Sequence, residues 1–189
     1  MPTPARTSTD EIVAAARSIL ESEGLTGLTM HRVAAEVGVR PPSLYKRVRH
    51  RDDLIRLVAE DVARELIATL EAVASDTKPR RSIRRLAGAL RAFAHARPAA
   101  YGLLFAPLPE ASRPDPALIQ AASAGLLRSA GQLAGPDSAL EAARTVVAFA
   151  HGFITMELAG GFRLGGDVDR AYEYGVERLI EAIGSTRPG

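Results

Sequence analysis

Apolar residues recur three and four positions apart along almost the whole 189-residue chain, and no stretch shows the sustained alternation of a half-buried strand. Ser8 or Thr9 can cap a first helix running to about Gly24, with Ile12, Val13, Ala16, Ile19 and Leu20 as its apolar face. A short second helix starts at Thr29 and ends at Gly38, turning Val33, Ala34 and Val37 inward. The glycine supplies the left-handed turn residue. A third short helix is expected from about Arg40 to Val48. Pro41 and Pro42 fall in its first turn, where the missing N–H groups would have had no helical partner. Asp52 and Asp53 then open a long fourth helix, their charges matched to its positive end. It runs to about Ser75, with Leu54, Val58, Val62, Leu66 and Leu70 on one stripe.

Beyond Thr77-Lys78-Pro79 the helical period continues over about 80–97, 98–105, 115–134, 137–160 and 168–184. The proline-rich segment 107–116 reads as a loop. The fold class expected is all-α: an N-terminal three-helix unit, 1–56, joined by a long helix to a C-terminal helical domain, 57–189.

Charge sharpens this division. Residues 1–56 carry nine Lys/Arg against seven Asp/Glu, whereas 57–189 carry fifteen of each, so the whole excess of +2 sits in the first third. It concentrates in "EVGVRPPSLYKRVRHRDD", residues 36–53, where Arg40, Lys46, Arg47, Arg49 and Arg51 meet no acid until Asp52. Two short helices joined by a glycine turn, the second one basic, are the parts of a helix-turn-helix. Ala34 is small where the helices must cross, Val39 plugs the corner, and Leu44 and Val48 pack the third helix inward. Its outer face then carries Arg40, Pro42, Ser43, Lys46 and Arg47, with Tyr45 at the edge. Such a face fits the major groove of duplex DNA.

Other chemistries find little support. The chain has no cysteine, and its histidines at 31, 50, 95 and 151 show no metal-ligand spacing, so no metal or cofactor is expected. The glycine patterns of nucleotide-binding loops and the serine elbow of hydrolases are absent, which argues against a small helical enzyme. The N-terminus lacks the apolar run of a signal peptide, and runs such as Val146–Ala150 are far too short to span a bilayer. The expected location is the cytoplasm, without a membrane partner.

The stretch "LTMHRVAAEVGVRPPSLYKRVRHRDDLI" resembles the DNA-binding signature of the tetracycline-repressor (TetR) family. The matching positions are Thr29, Ala34, Val37-Gly38-Val39, Leu44-Tyr45, Val48, Arg51 and Leu54. Val48 stands where the family usually carries Phe, and Lys46 and Arg47 stand where many relatives carry aromatic or His side chains. The resemblance implies a homodimeric transcriptional regulator, most simply a repressor, bound to a double-stranded DNA operator and released by a small-molecule effector. It further implies that Thr29, Tyr45 and Arg51 hold phosphates while Arg40, Pro42, Ser43, Lys46 and Arg47 face bases or nearby backbone. A DNA-binding protein without a ligand is the alternative, but a C-terminal region of over a hundred residues is more than dimerisation needs.

In that region the segment 137–160 is apolar nearly all round. Ala148, Gly152, Thr155 and Ala159 form a stripe of small residues that permits close helix approach. Tyr172, Val176 and Leu179 mark the companion stripe of the last helix, and the family resemblance makes these two helices the dimer bundle. "FAHGFITMELAGGF" is also similar to a TetR subgroup marked by a Trp followed by His-Gly; His151-Gly152 is present, but Val147 stands at the Trp position. Phe93, Tyr101, Phe105, Phe149, His151 and Met156 are candidates to line an apolar cavity, each with ordinary core packing as its alternative. Their composition suits an apolar or amphipathic effector.

Overall fold

The protein, represented by a computed structural model, is described over residues 8–74 and 78–185. Among the described residues there are nine α-helices and no strand: α1 (Thr9–Gly27), α2 (Met30–Glu36), α3 (Pro41–Leu44), α4 (Arg51–Glu71), α5 (Pro79–Ala96), α6 (Pro98–Phe105), α7 (Pro116–Ala134), α8 (Ala139–Leu158) and α9 (Val168–Ser185). The all-α expectation holds, and most boundaries lie within two residues of those read from periodicity. Two differ. The helix expected to stop near Gly24 continues to Gly27 past a kink, because Gly24 adopts φ +71°. The fourth helix ends at Glu71; its expected end at Ser75 lies outside the described residues.

The chain divides into two compact units. One unit holds the residues up to Glu65 together with Arg97–Leu118; the other holds Leu66–Ala96 and the chain from Ile119 onward. The first unit therefore takes in α6 and the proline-rich loop as well as the helix-turn-helix.

Within the first unit, α1 begins at a reciprocal cap. The Ser8 hydroxyl accepts from the Glu11 N–H at 3.1 Å, and the Glu11 carboxylate accepts from the Ser8 N–H at 2.8 Å. The predicted apolar face of α1 is buried, against Val33, Leu44, Val48, Leu54 and Val58 in the same core. α6 packs on α1, and the reason is electrostatic as well as apolar. The Glu21 carboxylate accepts from the N–H groups of Ala99 and Ala100 at 3.2 and 2.8 Å, and so caps the positive end of α6. Such a cap contributes about 1 kcal/mol. Arg97 pairs with Glu65 at 2.8 Å, and Arg17 bridges Asp61 and Glu65. Ser112, fully buried in the loop, donates to Asp52 at 3.1 Å.

The second unit is built on α5, α8 and α9. Ile83, Leu86 and Phe93 of α5, Val146, Ala150 and Ile154 of α8, and Tyr172, Val176 and Ile180 of α9 are all buried. Phe149 stacks on Tyr172 with ring centroids 5.9 Å apart and meets Phe153 at 5.8 Å. The ring of Phe149 lies where a Cβ at position 175 would be, so Gly175 is what lets α8 and α9 approach. Buried polar groups are satisfied: the Tyr172 hydroxyl donates to the Ala87 carbonyl at 2.8 Å, and Ser129 donates to Ser82 at 2.7 Å.

Candidate nucleic-acid interface

The corner between α2 and α3 follows from three residues. Thr29 caps α2, its hydroxyl accepting from the Arg32 N–H at 3.2 Å. Gly38 adopts φ +69°, so the Gly38 N–H reaches the Ala35 carbonyl at 3.2 Å and the Val39 N–H reaches Ala34 at 2.9 Å. This double bond pattern closes the helix end, and it requires a residue without a Cβ at position 38. Arg40 then occupies the cap position of α3, ahead of Pro41 and Pro42.

α3 is shorter than expected. After Leu44 the chain tightens into a turn, with the Arg47 N–H bonding the Leu44 carbonyl at 2.9 Å beside the helical Val48-to-Leu44 bond at 3.0 Å. Pro41 and Pro42 sit in the first turn, where their missing N–H groups would have had no helical partner, so the early end comes from the tightening after Leu44 and not from the prolines. The inward side is as expected: Leu44 and Val48 are fully buried, as is Ala34 at the crossing.

Outward, Arg40, Pro42, Ser43, Tyr45, Lys46 and Arg47 are all exposed on one short element, brought together as the sequence led one to expect. Arg40, Lys46 and Arg47 have no ion-pair partner among the described residues, so their charge is uncompensated. Thr29 is exposed too, although its hydroxyl already serves the cap.

Arg51 has structural partners of its own. Its guanidinium donates to the Leu28 carbonyl at 2.7 Å and to the Leu25 carbonyl at 2.6 Å, closing the C-terminal end of α1. A cation at a helix C-terminus satisfies orphan carbonyls and the helix dipole, so the residue has a structural role whatever else it touches. Arg49 is also partly engaged. Asp53 accepts from its side chain and backbone and from Arg56, and these bonds, with Arg49's side chain first, hold the Asp53 carboxyl well below the usual carboxylate range despite burial. His50 closes the start of α4, its Nδ1 accepting from the Asp53 N–H at 3.2 Å. No local sequence signal points to these last roles.

The ligand candidates are dispersed. Tyr101 and Phe105 pair with ring centroids 4.9 Å apart in the unit that holds the helix-turn-helix, whereas Phe93, Phe149, His151 and Met156 belong to the other unit. Phe93 is buried. Phe149 belongs to the α8–α9 aromatic group, and Met156 is 52% exposed, so it lies on the surface rather than in a cavity wall. His151 is half-buried, and burial pushes its pKa down, favouring the neutral imidazole. A cleft of about 570 Å³ does exist in the second unit, but none of the six residues lines it.

For the dimer candidates the structure separates two groups. Ala148, Gly152, Thr155 and Ala159 are exposed along one side of α8, and Leu179 is half-buried. Tyr172 and Val176 are buried in their own unit, so they cannot belong to an outer stripe as expected.

A glycine-cornered helix pair whose second element presents an uncompensated cationic face defines a helix-turn-helix DNA-binding module. The family model described as "Bacterial regulatory proteins, tetR family" matches residues 6–58, and that of the "Tetracyclin repressor-like, C-terminal domain" matches 83–179. The chain is 32% identical over 162 residues to the uncharacterized HTH-type transcriptional regulator Rv0681 of Mycobacterium tuberculosis, covering 83% of this chain and 73% of that one. Over 55 residues, 29% of this chain and 20% of the other, it is 46% identical to the HTH-type transcriptional repressor DrrR1 of Streptomyces coeruleorubidus. A solved structure of a protein of unknown function from Rhodococcus sp. RHA1 superimposes with a TM-score of 0.79 at 26% identity, covering 96% of this chain and 98% of that one. The chain belongs to the TetR family of DNA-binding transcriptional regulators.

Proposed function

We propose that the protein is a homodimeric repressor that binds an approximately palindromic operator through its two α3 elements and leaves it when a small apolar or amphipathic molecule binds the C-terminal unit. The observation that carries this reading is the face of α3, where Arg40, Lys46 and Arg47 are exposed and unpaired around Pro42, Ser43 and Tyr45. Phosphates along the groove supply what these cations lack, and Ser43, Lys46 and Arg47 stand where base edges would be read. Tyr45, 49% exposed at the end of α3, has a hydroxyl available to a phosphate.

One helix-turn-helix per chain needs a second copy to engage two major grooves, and the exposed small-residue side of α8 suits close packing against another helix. The name of the DrrR1 relative supports repression rather than activation. His151-Gly152 keeps the similarity to the His-Gly subgroup open, on those two residues alone. Analytical ultracentrifugation at micromolar concentration tests the assembly: a dimer is expected for the natural chain and a monomer for Gly152→Glu. A natural chain that stays monomeric, free and on DNA, would contradict the proposal. Release of bound DNA by an uncharged or amphipathic compound, followed by anisotropy, tests the response.

A further inference from the structure

α5 and α9 lie side by side in the second unit and are linked by rungs of opposite charge. At one end the Arg84 guanidinium holds both carboxylate oxygens of Glu177, one of them at 2.8 Å. At the other end Arg91 reaches Asp169 at 2.6 Å, and also Glu157 of α8 at 2.9 Å. Asp169, Glu173 and Glu177 follow one another at four-residue steps, so Glu173 is the middle position of the α9 ladder. The corresponding middle position of α5, four residues after Arg84, is Gly88. A Cβ there would meet nothing within 4 Å. Glu173 accordingly has no ion-pair or hydrogen-bond partner among the described residues.

The vacant rung opens into the cleft of about 570 Å³, a volume within the range that takes small molecules. Its apolar lining comes from Ala92 and Val176, with Tyr172 beneath the Arg91 guanidinium, 4.9 Å from the ring centroid. Four carboxylates line it against two guanidiniums, and His95 lies 2.9 Å from Glu157. The two guanidiniums hold three of the four carboxylates, and the formal excess of carboxylates over guanidiniums favours a positive charge in the cleft over an anion. Asp169 and Glu177 are held by Arg91 and Arg84, so Glu173 is the one carboxylate of the row left for an incoming cation.

We propose that this cleft is a binding site for a small organic cation with a flat apolar body, its ammonium or amidinium group completing the missing rung on Glu173 and its body lying along the cleft beside Gly88 and Ala92. None of the six residues expected from sequence to contact a ligand takes part. Binding rests on the cleft alone; only an effect on DNA would rest on the regulator reading.

Benzamidine is a suitable probe, with benzoate and benzamide as anionic and neutral controls of the same shape. Calorimetric titration of the full chain should show one benzamidinium bound per chain and neither control bound. Glu173→Gln should weaken benzamidinium by about two- to fivefold, the worth of one ion pair at an exposed carboxylate. Gly88→Lys should fill the rung internally, abolish binding and raise the melting temperature. Absence of benzamidinium binding, equal binding of benzoate, or undiminished binding by Glu173→Gln would overturn the proposal; Glu173→Gln decides alone if Gly88→Lys misfolds. Duplex DNA binding is measured on the same samples. DNA binding without benzamidinium binding overturns the cleft only. Benzamidinium binding through Glu173 without DNA binding upholds the cleft and overturns the regulator reading.

Discussion

Replacing Arg51 by Ala separates a structural role from a phosphate-binding one. In the protein its guanidinium closes the end of α1 with two charge-assisted bonds, to the carbonyls of Leu28 at 2.7 Å and Leu25 at 2.6 Å. Leu28 is fully buried, so its carbonyl gains little from water once the partner is gone. The guanidinium itself is exposed, and each bond is discounted for that to about 1 kcal/mol net, giving a loss of about 2 kcal/mol. For a chain of this size that lowers the melting temperature by about 4–8 °C. Arg51→Lys should recover only part of the loss, since one ammonium does not span two carbonyls as a planar fork does. The assay is thermal unfolding followed by circular dichroism without DNA, with the salt dependence of DNA binding measured in parallel. An Arg51→Ala protein that melts with the natural chain but binds DNA with a flatter salt slope would refute this reasoning and restore Arg51 as a phosphate ligand.

Gly175→Ala should destabilise the second unit by about 1–3 kcal/mol, because the new methyl overlaps the Phe149 ring between α8 and α9; an unchanged melting temperature would show that the ring gives way freely. The side-chain bonds from Arg91, then from His95, outweigh burial and hold the Glu157 carboxyl at about 2, below its ordinary 4.5. A depressed carboxyl stabilises the fold above its unfolded value and loses that contribution as pH falls through the folded value. Stability should therefore drop between pH 4.5 and 2, and Glu157→Gln, weaker at neutral pH, should show a shallower drop over that window in denaturant titrations.

The features legible in the sequence were the local ones. Ala34, Gly38, Leu44 and Val48 set the corner through contacts within fifteen residues, so period and turn chemistry were enough to place them. What escaped depends on partners far along the chain. Arg51 reaches carbonyls 23 and 26 residues back, and Glu21 caps a helix 78 residues ahead, which ties α6 to the unit that holds the helix-turn-helix. On α9, periodicity marks Tyr172 and Val176 as one apolar stripe but does not distinguish a face turned to the chain's own core from one turned to a second subunit. The α9 carboxylates are visible as four-residue steps, yet their pairing with Arg84 and Arg91 of α5, and the gap opposite Glu173, emerges only once the two helices are neighbours. α3 ends before its expected limit because the chain tightens after Leu44, where the Arg47 N–H bonds a carbonyl three residues back, a change that apolar period does not mark.

The most direct test of DNA reading by α3 is selection of duplexes from a randomised pool by the full-length protein, followed by salt titration of the enriched sequence. Three unpaired cations per chain, with Arg49 three-quarters exposed beside them, allow about six to eight phosphate contacts per dimer. The expected result is an inverted repeat whose half-sites lie about one helical turn or a multiple apart. Its affinity should fall with salt at a log–log slope of about −5 to −7, flattened by Arg47→Ala and re-tuned in sequence by Lys46→Ala. A pool that shows no enrichment, or an enriched site that both variants bind as the natural chain does, would contradict it.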